Sequence, residues 1–108
     1  MAYLVKNLGF GQLPPAKGTL YTTPEGRGTI IKTVTYVNTC SSLGMDVNLF
    51  VRPSGEVSKR IIPPDLTLPA RYSLVFDNVI CLEPGDCIEG DSEFANEIDY
   101  EIFGTERT

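Results

Sequence analysis

The sequence predicts an all-β chain, folded as a single antiparallel β-sandwich of jelly-roll or immunoglobulin-like connectivity with about seven or eight strands. Three observations predict it. Apolar residues recur with period two in several segments and with a sustained period of 3.6 in none. Clusters of Gly, Pro, Asn, Asp and Ser punctuate the chain roughly every 8–12 residues, as in two-sheet folds. A chain of 108 residues with 42% hydrophobic content makes one domain whose core needs no obligatory staples. Each strand buries about half its side chains, so two facing sheets are needed to cover the apolar faces. A closed barrel is the second choice.

Residues 1–17 read as an extended N-terminal arm, and 18–108 as the sandwich. In the arm Tyr3, Leu4, Val5, Leu8 and Phe10 are apolar, while Gly9, Gly11, Pro14 and Pro15 exclude a regular helix. So much apolar surface requires cover, from the arm's own domain or from a neighbour. If a neighbour supplies it, deleting residues 1–17 should weaken assembly more than folding. Thr19–Thr23 is β-prone and stops at Pro24. Thr29–Asn38 alternates, with Ile30, Val34 and Tyr36 on one face, Ile31, Thr33, Thr35 and Val37 on the other, and Lys32 out of character on the first. Met45, Val47, Leu49 and Val51 make the cleanest amphipathic strand. Lys59–Ile62 is short and ends at Pro63-Pro64, with Leu66 and Leu68 anchoring the following loop.

Arg71–Asp77 alternates again, with Tyr72, Leu74 and Phe76 on one face. Val79–Leu82 and Cys87-Ile88 flank Pro84-Gly85-Asp86, a corner in which Pro84 presets φ, Gly85 accepts φ > 0 and Asp86 ties off the backbone. A tight reversal there would set Leu82 opposite Cys87. The last strand, Glu97–Gly104, turns Ile98, Tyr100 and Ile102 inward and Glu97, Asp99 and Glu101 outward.

Charge is divided along the chain. Residues 1–82 hold eight Lys/Arg against five Asp/Glu; residues 83–108 hold nine acidic residues against Arg107 alone. Nucleic-acid binding needs a basic face, which this distribution lacks. The asymmetry suits head-to-tail contacts between like subunits. No apolar run approaches the ~18 residues of a membrane span. No basic segment followed by a sustained apolar run opens the chain, so no secretory signal is expected. Cys40, Cys81 and Cys87 are expected to be reduced thiols.

Histidine is absent, which removes Ser-His-Asp and Cys-His nucleophiles and His-based metal sites. No phosphate-cradling glycine motif occurs. Glu97, Asp99 and Glu101 share one strand face with adjacent members about 7 Å apart, a glycosidase-like spacing, yet consecutive outward positions face water rather than a cleft. Catalysis is not expected, and neither is a cofactor. Asp86, Glu89, Asp91 and Glu93 offer oxygens suited to a hard cation but lack EF-hand order. A ligand- or Ca²⁺-binding β-sandwich module is therefore the alternative function.

The ordered motifs resemble a family. Gly18-Thr-Leu-Tyr-Thr-Thr-Pro-Glu-Gly26 and Thr29–Asn38 are followed by Val47-Asn-Leu-Phe-Val51, Arg60-Ile-Ile-Pro63, Leu82-Glu-Pro-Gly-Asp-Cys-Ile-Glu-Gly90 and Gly104-Thr-Glu106. This set, over about residues 18–106, resembles small virion structural proteins of tailed bacteriophages. The resemblance implies a non-enzymatic role, as a capsid cement (decoration) protein or a neck or tail protein, made in the host cytoplasm and resident in the virion. It also implies a homo-oligomer, trimeric for a cement, with capsid, neck or tail proteins as partners. The expected contact residues are Tyr3, Leu4, Val5, Leu8 and Phe10 of the arm and Glu89, Asp91 and Glu93 of the acidic segment, whose acidity exceeds what the family pattern requires.

Overall fold

A computed structural model describes residues 3–107, and of Tyr3, Leu4 and Lys6 the backbone alone. The chain is an antiparallel β-sandwich, without helix among the described residues. Its strands are β1 (Tyr3–Gln12), β2 (Gly18–Thr22), β3 (Thr29–Asn38), β4 (Met45–Arg52), β5 (Lys59–Arg60), β6 (Leu66–Leu68), β7 (Ser73–Phe76), β8 (Ile80–Leu82), β9 (Cys87–Ser92) and β10 (Ile98–Arg107). The first sheet runs β1-β10-β3-β7, with β8 beside the start of β3. The second runs β2-β9-β4-β5, with β6 beside the start of β4. The described strands number ten rather than seven or eight because the expected arm and the expected loop at Leu66–Leu68 form strands as well, β1 and β6. Pro63-Pro64, which have no N–H to donate, separate β5 from β6, and Asp77–Val79 separate β7 from β8.

The arm expected at residues 1–17 is largely strand. β1 pairs with β10 from Tyr3↔Arg107 to Gln12↔Asp99. Leu8 packs against the core and Leu13 is fully buried, so these two find their cover within the domain, while Val5 and Phe10 stay exposed. At Gly9 a Cβ would stand 3.3 Å from the Leu20 carbonyl oxygen, and the Tyr100 ring packs at van der Waals distance against Gly11.

Between the sheets lie Ile31, Val34, Tyr36, Val47, Leu49, Ile88, Ile98 and Ile102, all essentially inaccessible. The alternation expected for β4 and β10 holds in Met45, Val47 and Leu49, and in Ile98 and Ile102. In β3 it does not hold throughout: Ile31, not Ile30, joins Val34 and Tyr36 inside. The cause is a β-bulge. Ile31 pairs with Gly104 and Thr33 with Phe103, which leaves Lys32 as an extra residue and exchanges the faces on either side of it. Gly104 permits the close approach, since a Cβ there would stand 2.2 Å from the Ile30 carbonyl oxygen.

The Pro84-Gly85-Asp86 corner also differs from expectation. Gly85 has φ of 87°, and Asp86 N–H donates to the Glu83 carbonyl at 3.0 Å, a turn with Pro84 and Gly85 at its centre. Its flanks belong to different sheets, because β8 pairs with β3 and β9 with β2 and β4. The corner therefore carries the chain across the sandwich instead of closing a hairpin, and Leu82 and Cys87 are not partners. All three cysteines are free thiols: Cys81 exposed, Cys40 half-buried, Cys87 buried.

Candidate interaction surface

The two outer faces differ in chemistry. Across the first sheet, register sets Phe10, Glu101, Thr35 and Val75 in one row and Gln12, Asp99, Val37 and Ser73 in the next. Phe10 is 76% exposed, and Val5, Val37, Val75 and Phe103 are exposed as well. Phe10, Gln12, Thr35, Val37, Asp99 and Glu101 border a shallow groove of about 470 Å³. Its two carboxylates accept hydrogen bonds from neutral amides only. Gln12 Nε2 donates to Asp99 at 3.2 Å and Asn7 Nδ2 to Glu101 at 3.0 Å. Neither pairs with a cation among the described residues. The inner neighbour Tyr100 has its phenol pushed up by burial.

The second sheet's outer face is charged and internally satisfied. Arg52 Nε donates to Glu89 at 3.0 Å, and the Ser58 hydroxyl donates to the same carboxylate. Asn48 acts as a hub. Its amide donates to Asp91 at 2.8 Å, and its carbonyl accepts from Arg60 at 2.5 Å and from the Asp65 backbone at 3.1 Å. Phe50 is covered on this outer side by Lys17, 4.2 Å from the ring centre, and by the Arg60 guanidinium at 4.8 Å. That cover explains why Asn48 and Phe50 are buried although alternation turns them outward.

The sequence-derived contact residues fall into distinct environments. Val5 and Phe10 are exposed on the first face, whereas Leu8 packs inward. The side chains of Tyr3 and Leu4 lie outside the described residues. Glu89 is only 7% exposed and engaged by Arg52 and Ser58, so it is a strut of the second sheet rather than a free contact. Asp91 is half-buried against Asn48; Glu93 is exposed and accepts from the Asp46 backbone at 3.3 Å. Asp46, Asp65, Asp91 and Glu93 border a polar hollow of about 260 Å³. The set Asp86, Glu89, Asp91 and Glu93 does not converge, and no cluster of three or more carboxylates or thiols suited to a metal occurs among the described residues. Asp86 is occupied at the corner, accepting from Ser54 N–H at 2.9 Å and Glu83 N–H at 3.0 Å.

Several motif residues meet at structural junctions. Tyr21 of β2 donates its hydroxyl to buried Glu106 of β10 at 2.6 Å and lies 2.8 Å from the Thr29 hydroxyl, tying the sheets together. Arg27 approaches Glu106 at 3.9 Å. Burial first, then the Glu106 carboxylate, pushes the Tyr21 phenol up to about 12. Thr23, next along, exchanges backbone hydrogen bonds with the Gly85-Asp86 corner at 3.1 and 2.9 Å. Burial also pushes Tyr36 up, and its hydroxyl donates to the Asn48 carbonyl at 3.0 Å.

Sequence reasoning placed Asp99 and Glu101 on an outward face but did not join them to Phe10, Thr35 and Val37. That union depends on which distant strands are neighbours, and local alternation does not encode it.

No family model matches the chain, and no curated protein matches it in sequence. Among solved structures it is similar to two crystal structures of a pentameric capsid protein isolated from metagenomic phage sequences. One, at 20% identity and a TM-score of 0.40, covers 93% of this chain and 60% of that one. The other, solved by iodide phasing, has 20% identity, a TM-score of 0.39 and coverage of 93% and 62%. The chain thus spans about three fifths of the length of the proteins it resembles.

Proposed function

We propose that the chain is a non-enzymatic virion structural protein of a tailed bacteriophage that assembles with copies of itself and with capsid, neck or tail proteins. The observation that carries this reading is the strand order. Counting β5/β6 and β7/β8 as single positions, the sheets interleave early and late strands as 1-10-3-7/8 and 2-9-4-5/6. That pattern supports a jelly roll, a double-sheet fold used by viral capsid domains and by lectins and cupins. The resemblance of the ordered motifs to small phage virion proteins selects the first of these. The junctions that those motifs form give the resemblance a structural basis: the Tyr21–Glu106 tie, the Gly104 bulge and the Pro84-Gly85-Asp86 corner. The first sheet's apolar, acidic outer face supports a surface covered by protein. A capsid cement of three copies is the assembly that the resemblance implies.

The test is direct. Light scattering or sedimentation of purified protein should give a defined oligomer, and the protein should bind particles of its phage assembled without it. A monomer that leaves such particles bare would overturn the reading.

A further inference from the structure

We propose that the Arg71-Tyr72 turn of one copy seats in the groove between Phe10, Asp99, Glu101 and Val37 of a second copy. The inference rests on the assembly reading above and names its contact. The groove supplies two carboxylates without a cation among the described residues, bordered by apolar and aromatic side chains. The turn supplies the complement. Arg71 and Tyr72 are both exposed, Tyr72 at 63%, and the Arg71 side chain has no partner among the described residues. A guanidinium bonds two carboxylate oxygens at once, and a tyrosine ring covers apolar area at low entropic cost. Arg and Tyr are also the side chains that most often dominate interfaces.

The turn is already rigid. Tyr72 N–H donates to the Pro69 carbonyl at 3.1 Å, Arg71 N–H to the Asn38 carbonyl at 3.1 Å, and Asn38 N–H to the Tyr72 carbonyl at 2.9 Å. Arg71 sits at φ of 66°, the turn position where glycine is at ease. A large cationic side chain held there, in the open and unpaired, fits a role outside its own fold.

The contact joins two unlike patches of the same sheet. In the order β1-β10-β3-β7 the groove spans β1, β10 and β3, while the turn leads into β7. The turn therefore stands about two strand spacings, roughly 10 Å, from the groove's acidic strand. Knob and groove are distinct, neighbouring patches of one sheet, so each copy offers both halves of the contact.

Sedimentation velocity on the full chain tests this. Arg71→Gly should weaken self-association roughly 30-fold or more, while the melting temperature, measured where wild type and variant are both dissociated, is unchanged or higher. The Asp99→Lys, Glu101→Lys pair should weaken association similarly. Combining that pair with Arg71→Glu should restore it by reversing both sides of the contact. An oligomer indifferent to Arg71→Gly and to the groove pair, or a combined variant that stays dissociated, overturns this contact and leaves the assembly reading standing. A wild type monomeric at all concentrations overturns the assembly reading and the contact with it.

Discussion

Tyr21 shows how one side chain joins the two sheets and sets a pH limit on the fold. Its hydroxyl leaves β2 in the second sheet to reach Glu106 of β10 in the first. Replacing it with phenylalanine leaves a buried carboxylate short of a donor, which costs about 1–3 kcal/mol; chemical denaturation at neutral pH measures the loss. The phenol, raised to about 12 from an ordinary 10.0, stays neutral in the fold where the unfolded chain has already ionised. Its contribution is full below pH 10 and is lost as pH rises through 12. Stability should therefore fall across this window, and Tyr21→Phe should flatten the decline without abolishing it, because burial raises Tyr36 and Tyr100 too. An unchanged slope in the variant would show that Tyr21 does not couple folding to alkaline pH.

At the scale of the strand, two backbone features decide which side chains enter the core. The bulge at Lys32 requires Gly104 opposite. A methyl group at Gly104 would collide with a backbone oxygen that cannot turn aside, so Gly104→Ala should cost about 3 kcal/mol or more. Gly26→Ala is the control: its φ is 76° but nothing stands near the added carbon, so it should cost about 1–2 kcal/mol. Similar losses at both sites would remove the bulge as the explanation. The same comparison separates what was legible in the sequence from what was not. Alternation in Met45–Leu49 and Ile98–Ile102 is a local property and named the buried face correctly. The bulge shifts β3 opposite a glycine on a strand far along the chain, and its local sign was Lys32 itself, out of character on its face. Pro84-Gly85-Asp86 was likewise readable as a turn, but which sheet each flank joins is settled by pairing with β3 and β4, not by the turn's own residues. The groove was illegible for the same reason, since its bordering residues come from β1, β3 and β10.

At the scale of the whole molecule, the two faces divide the roles of charge. The second sheet spends its charges internally, on Arg52–Glu89 and around Asn48, whereas the first leaves Asp99 and Glu101 without cations among the described residues, beside exposed apolar side chains. The acidity of residues 83–108 is therefore not one patch. Glu89 and Glu106 are buried structural groups, and Asp99 and Glu101 face outward. The N-terminal segment belongs to the first face and also to the fold. Without β1, nine backbone positions of β10 lose their register partners and a central strand becomes an edge. Leu8 and Leu13 leave the core, and Tyr100 loses its packing against Gly11. Deleting residues 1–13 should thus abolish cooperative thermal unfolding or yield insoluble protein, and any loss of assembly would follow from loss of folding. By contrast, Phe10→Ser alters only an exposed side chain, so it should leave the melting temperature of the dissociated chain within about 1 kcal/mol equivalent of wild type while weakening association. Calorimetry and sedimentation on both variants separate the two roles. A deletion that melts like the intact chain would return the segment to the status of an arm, and a Phe10→Ser protein that associates like wild type would remove that side chain from the contact.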